Sequence, residues 1–248
     1  MLITTKGVVL KEITVGSDDK LITILTKECG KITAYVKNSK RLKTKFASST
    51  DLLCYSTFVL FKSKDKYYIN SAESENVFFD IRTDIEKLSL ASFFVEVASE
   101  VTTENENGEE FLRLILNSFY FIEKGIYPLS HIKTVFELRA LCITGYMPDL
   151  VACNGCGVYE DDIMYFSYQT GKIHCKNCKG EISSYAKLNK SVLYAMRFIC
   201  YSPFEKIFSF SLSDENLKLL GVTTENYLIY ILEKNFRTLD YYKSLFSF

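Results

Sequence analysis

Three prolines and eleven glycines in 248 residues leave little material for linkers, and neither clusters. Long disordered segments are therefore not expected. Histidine is scarcer still. The two present lie in His131-Ile132-Lys133 and His174-Cys175-Lys176, so neither offers the His-x-Glu pairing of a zinc deaminase. The chain has no Gly-x-x-x-x-Gly-Lys-Ser/Thr phosphate loop, no Gly-x-Gly-x-x-Gly fingerprint and no nucleophile elbow. Nothing resembles an active site, and a non-enzymatic role is expected. No apolar run reaches membrane-spanning length, because Glu96 and Arg113 interrupt the two greasiest stretches. Lys6 and Lys11 stand inside an alternating strand pattern at the N-terminus, which is not a secretory signal, so a cytoplasmic protein with no membrane partner is expected.

What is present describes an ordered globular chain: 48% hydrophobic residues, with seventeen Tyr and nineteen Phe. That length can bury a real core without covalent staples. Net charge is zero but unevenly spread. Residues 1–50 hold ten Lys/Arg against four Asp/Glu, so the remainder is acidic by the same margin of six. The N-terminal part is the natural face for a polyanion.

Four of the eight cysteines form two Cys-x2-Cys pairs, Cys153/Cys156 and Cys175/Cys178, separated by eighteen residues. Each pair can sit on a tight turn that aims two thiolates at one metal, with Gly157 and Gly180 supplying left-handed backbone. Between them Ile163 to Tyr168 is β-rich, and Thr170-Gly171 reads as the turn that returns the second pair to the first. One structural Zn2+ is expected, since four thiolates leave no coordination place for substrate. Two disulfides, a redox dithiol or an iron tetrathiolate are the alternatives. Cys29, Cys54, Cys142 and Cys200 are scattered singly and read as core or turn thiols.

Residues 1 to about 75 read as five strands: Thr5–Val15, Lys20–Lys27, Lys31–Lys37, Leu52–Lys62 and Tyr67–Ala72. Five short strands with a long connection after the third resemble the OB-fold barrel, whose strands and loops commonly hold oligonucleotides, although SH3-like barrels also have five. In that connection Lys37, Lys40, Arg41, Lys43 and Lys45 put five cations in nine residues with no acid, and Lys62, Lys64 and Lys66 cluster on the last hairpin. A single-signed loop of this kind can track phosphates; its plain alternative is a solvated surface loop. Tyr35 is a candidate for base stacking or for the core.

From Asp80 the period becomes helical. One helix is expected from there to about Thr102, a second over Phe111–Lys124 ending at Gly125, and a third from Pro128 to before Gly145. After the cysteine segment come Asn189–Tyr201, a short helix Ser213–Leu220, and a long one from Thr224 to about Leu239 capped by Thr223 or Thr224. The fold class is α+β: an N-terminal five-stranded OB barrel (1–79) followed by a helical domain (80–248) with a four-cysteine zinc-finger insertion at about 151–182.

Three stretches together resemble the bacterial recombination-mediator family RecO: KNSKRLKTKFASSTDLLCYSTFVLF, FELRALCITGYMPDLVACNGCG and YLIYILEKNFRTLDYYKSLF. The resemblance spans the chain. It implies a nucleoid-associated protein that binds single- and double-stranded DNA and anneals complementary strands coated with single-strand-binding protein. It further implies work with RecR to load RecA, indirectly, and docking of the acidic C-terminal tail of single-strand-binding protein. Cys153, Cys156, Cys175 and Cys178 match the family's finger, and Lys37, Lys40, Arg41, Lys43 and Lys45 fall on its DNA-binding loop, here with more Lys than Arg. Lys133 and Arg139 are the candidates for the tail-docking site. The competing reading is a zinc-ribbon adaptor that binds only proteins.

Overall fold

Alternating apolar residues make Leu2–Val15 a strand, β1, long enough to serve two neighbours. Its first half pairs antiparallel with β4 (Tyr55–Ser63), and from Gly7 onward it pairs with β2 (Asp19–Thr26). Gly7 sits at the handover, where a Cβ would lie 2.5 Å from the Leu25 carbonyl oxygen and 2.7 Å from Ile24 Cγ2. The third strand, β3 (Gly30–Val36), continues antiparallel to β2, then pairs in parallel with β5 (Lys66–Asn76) through Ala34 opposite Tyr67 and Tyr35 opposite Tyr68. An antiparallel β4–β5 pair completes a closed barrel of order β1-β2-β3-β5-β4, the expected five-stranded architecture. Its interior is filled by every second residue of the strands, among them Val9, Ile22, Ile24, Ile32, Phe58 and Leu60.

The structure is a computed structural model that describes every residue except 17, 38–47, 65, 105, 181–183 and 247–248. Contacts divide the chain into two compact units, Met1–Lys124 with Phe236–Phe248, and Gly125–Asn235. Helices α1 (Phe79–Arg82), α2 (Ile85–Val101), α3 (Glu109–Lys124) and α7 (Arg237–Ser244) thus group with the barrel, whereas the sequence suggested a cut at 79/80. The expected continuous helix from Asp80 is interrupted at Thr83. Asp84 accepts hydrogen bonds from the backbone N–H groups of Glu86 and Lys87, a cap worth about 1 kcal/mol that starts α2 afresh. The tip of the β2–β3 hairpin is locked to the α2–α3 connection: Lys31 N–H donates to the Thr103 carbonyl and Gly108 N–H to that of Lys27. Gly108 is required there, because a Cβ would strike the Thr26 carbonyl.

In the second unit, α4 (Leu129–Ile143) packs on α5 (Lys190–Tyr201) and α6 (Asp214–Leu232), Tyr227 of α6 meets Phe166, and α5 packs on the sheet that holds Phe166, a small one of order β7-β6-β8. Its strands are β6 (Ile163–Ser167), β7 (Lys172–His174) and β8 (Tyr185–Asn189). Two helices expected over 213–239 are instead one, α6, which runs through Gly221 and ends at Glu233 with φ 49°; α7 starts separately after it. Gly221 faces α4, where a Cβ would meet Thr134 Oγ1 at 3.4 Å. Thr223 and Thr224 are fully buried core contacts rather than caps, and Thr224 donates to Glu137. The true caps are Ser213 for α6 and Asn189 for α5. Among the described residues no helix is long and apolar enough to cross a membrane.

Candidate nucleic-acid surface and metal centre

On β3 the even-numbered residues Ile32, Ala34 and Val36 enter the barrel, which turns Tyr35 outward; on β5, Tyr67 and Ile69 enter and Tyr68 turns outward. The parallel register sets these two rings side by side, stacked with centroids 5.5 Å apart and planes inclined by 26°. Lysines bracket the pair. Lys37 Nζ stands 5.4 Å from the centroid of Tyr68 and Lys66 Nζ 5.7 Å from that of Tyr35, while Lys62 Nζ stands 5.1 Å from Tyr67. Lys37, Lys64 and Lys66 have no carboxylate partner among the described residues, unlike three other barrel cations. Lys6 pairs with Glu75, Lys20 with Glu12 and Asp51, and Lys27 with Glu109. Outward-facing, half-buried aromatic rings flanked by the ammonium groups of Lys37 and Lys66 form a surface able to stack planar groups while neutralising anions beside them.

The four sulfurs of Cys153, Cys156, Cys175 and Cys178 lie within 4.8 Å of one another and could hold a metal ion. Cys156 Sγ and Cys175 Sγ are 3.7 Å apart, close to the roughly 3.8 Å edge of a tetrahedron with metal–sulfur bonds of about 2.3 Å. The knuckles are shaped by backbone. Gly157 and Gly180 take φ 74° and 54°, and each turn closes by N–H groups donating to the Cys153 or Cys175 carbonyl. At Gly155 a Cβ would lie 2.7 Å from Cys178 Cβ and 2.9 Å from its Sγ, so only glycine lets the two knuckles converge. Burial pushes the Cys153 thiol up, but N–H groups of Cys175, Cys156 and Gly155 outweigh it and bring the thiol down to about 6. That environment favours the thiolate at Cys153, whereas hydrogen bonding with the Cys156 and Cys175 thiols pushes Cys178 up to about 12. Arg197, almost fully buried on α5, ties the first knuckle to the helix by donating to the carbonyls of Leu150, Val151 and Tyr159, with Tyr159 stacked 4.1 Å from its guanidinium carbon.

Two family models match the chain in succession: Recombination protein O N terminal over residues 1–78 and Recombination protein O C terminal over residues 82–240. The chain belongs to the RecO family. It is similar to the DNA repair protein RecO of Acetivibrio thermocellus, 38% identical over 241 residues that cover 97% of this chain and 96% of the relative. Those of Caldicellulosiruptor saccharolyticus, 30% identical over 97% of this chain and 98% of the relative, and Alkaliphilus metalliredigens, 28% over 99% and 100%, are similar throughout. Membership in RecO places the chain in DNA repair and recombination.

Of the residues singled out in advance, the four cysteines converge as expected for this RecO chain, and Lys37, Lys62 and Lys66 meet around Tyr35, Tyr67 and Tyr68. Lys40, Arg41, Lys43 and Lys45 lie outside the described residues. Lys64 is exposed at the β4–β5 turn. Lys133 is elsewhere than a docking surface requires: only 6% exposed, its ammonium lies 2.7 Å from Glu137 and 2.8 Å from Glu225. Burial alone would lower its pKa, but those two carboxylates outweigh it and hold Lys133 above the ordinary lysine range. Arg139 donates Nη1 to the carbonyls of Ile199 and Cys200 and lies over Phe204, while its buried Nε finds no acceptor among the described residues. Tyr68 was missed. Its signal, a Tyr-Tyr step whose second ring must face out, needed the β3–β5 register to be seen.

Proposed function

We propose that this RecO chain is a non-enzymatic recombination mediator that binds single- and double-stranded DNA through its N-terminal barrel. On this reading it anneals complementary strands coated with single-strand-binding protein and, with RecR, helps to load RecA onto them. The observation that carries the proposal is the outward Tyr35–Tyr68 stack with Lys37 and Lys66 over its rings, which offers bases a platform and phosphates a counter-charge. Lys62 and Lys64 extend that surface, and Lys40, Arg41, Lys43 and Lys45 supply further phosphate contacts from the connection between β3 and β4. Annealing breaks no covalent bond, so charge neutralisation and transient stacking suffice.

Zn2+ is the proposed metal. Cys153, Cys156, Cys175 and Cys178 would hold it, and a full thiolate set makes its role the bracing of the ribbon. Docking of the single-strand-binding protein tail belongs to the same proposal, with Arg139 the remaining candidate because Lys133 is enclosed by carboxylates. A cytoplasmic, nucleoid-associated location follows from the DNA role.

The test is annealing of two complementary oligonucleotides, each pre-coated with single-strand-binding protein, as the chain is titrated in without nucleotide. Acceleration is expected, and Y35A/Y68A should weaken single-strand affinity by about 1–3 kcal/mol per lost stack. K40A/R41A/K43A should reduce the slope of log affinity against log salt by about 2. Annealing at the background rate on naked and coated strands alike would refute the mediator reading and leave the protein adaptor.

A further inference from the structure

The small sheet of the second unit has two unlike faces. Met164, Phe166, Ile173, Ala186 and Leu188 alternate onto one side, and all are buried. The register places the other residues on the opposite side: Tyr165 lies across from His174 and Lys187, and Ser167 across from Lys172 and Tyr185. From the second knuckle Lys179 reaches over this side, its ammonium 4.8 Å from the Tyr165 centroid and 5.3 Å from that of Tyr185. Lys176 is exposed beside it.

Charge is sorted as sharply as polarity. The three strands and the segment 175–180 contain Lys172, Lys176, Lys179 and Lys187 and not one Asp or Glu. None of these four lysines has a carboxylate partner among the described residues; Lys172 donates only to Asn154. Ahead of β6, Glu160 and Asp162 are paired with Lys190, and Glu181, which follows Gly180, lies outside the described residues. Among the described residues this face carries lysines and no acid, with Tyr165 and Tyr185 beneath Lys179, a combination of charge and aromatics like that on the barrel but on a separate part of the chain.

We propose that this face of the metal ribbon is a second strand-binding surface, which takes the sugar–phosphate backbone of single-stranded DNA on Lys172, Lys179 and Lys187. The inference rests on the DNA-binding reading of the barrel and extends it. A chain that brings two strands together gains from holding each on its own surface, since like-charged strands repel unless both are neutralised. Tyr165 is buried beneath Lys179, but Tyr185 is partly exposed beside it, which favours a ligand with planar groups next to its anions over an acidic peptide.

The experiment compares wild type and K172A/K179A/K187A by fluorescence anisotropy with a labelled single-stranded oligonucleotide across a salt series, and by annealing rate, with metal content measured on both. Loss of three phosphate contacts should reduce the salt slope by about 2, so that the affinity ratio between 50 and 200 mM salt shrinks by about 20-fold. Annealing should slow while bound metal is retained. An unchanged slope and annealing rate at full metal content would overturn the inference, as would loss of binding to a poly-glutamate peptide with the DNA slope intact. If wild type binds no oligonucleotide, the barrel reading fails first and takes this one with it. Should the variant lose its metal, photocrosslinking of wild type to a bromodeoxyuridine strand decides: adducts within residues 163–189 support the surface, and adducts confined to residues 1–124 refute it.

Discussion

Replacing Lys133 by Met tests whether its ammonium is an internal counter-charge. Methionine keeps roughly the length of the aliphatic stem, so the change removes mainly the charge between Glu137 and Glu225. Glu137 is fully buried, and burial already pushes its carboxyl above the ordinary range against the pull of Lys133 and the Thr224 hydroxyl. Without Lys133 the largest opposing influence is gone. The folded variant must then either bury an uncompensated charge, which costs about 3–5 kcal/mol, or protonate Glu137. In the unfolded chain that carboxyl has a pKa of about 4.3, so keeping it protonated at pH 8 costs about 5 kcal/mol, and about 1.6 kcal/mol at pH 5.5. A group whose folded pKa is raised binds its proton more tightly when folded, so stability falls as pH rises above about 4.3. Urea unfolding followed by circular dichroism should therefore show K133M losing about 3–5 kcal/mol at pH 8 and about 1.5 kcal/mol at pH 5.5. K133M/E137Q should recover most of the loss and its pH dependence. A loss that is the same at both pH values, or no larger than that of a surface lysine, would refute the reasoning and free Lys133 for a docking role.

Gly155→Ala and Cys175→Ser should each lower bound metal in mass spectrometry from one per chain, the first by forcing Cys178 aside and the second by opening the tetrahedron; full metal retention in G155A would show that the knuckles can part. Arg197→Met removes three hydrogen bonds that tie the first knuckle to α5 and should speed metal loss to a chelator by about 10–100-fold, as changes behind metal ligands typically do. Gly221→Ala should stabilise the chain by about 0.5–1 kcal/mol, because the site is helical and a methyl there meets Thr134 only at ordinary contact distance; a destabilised variant would argue for the two-helix reading.

Where periodicity and spacing determine structure, the sequence was readable. The alternation in β1 to β5 and the two Cys-x2-Cys pairs report local geometry directly, and both the barrel and the convergence of thiols follow. Misreadings arose where a residue's usual local meaning was overridden by its neighbours in space. Gly221, just past the expected helix end at Leu220, lies inside α6 facing α4, and Thr223 and Thr224 resemble caps yet are core. Lys133 illustrates the same limit for charge. A lone lysine on a helix is indistinguishable from a surface cation until Glu225, ninety-two residues later, is found beside it. Strand β8 went unseen because its five residues abut a helix and the N-cap Asn189 dominated that stretch. The Tyr35–Tyr68 stack needed a parallel pairing that no local pattern encodes.

Helix α7 gives the first unit a particular order of assembly. Phe236 packs edge-on against Phe93 with centroids 5.6 Å apart, and Thr238 donates its N–H and hydroxyl to Glu96, 142 residues earlier. During synthesis the whole of residues 125–235 emerges before these contacts can form. At about 5–20 residues per second, the α2 surface that receives α7 stays uncovered for about 6–22 seconds after residue 124 is made. The second unit has time to complete itself in that interval, while the first waits with Phe93 open to misassociation. Truncations near the C-terminus should accordingly be felt in the N-terminal unit, and chaperone dependence should concentrate on the first half of the chain.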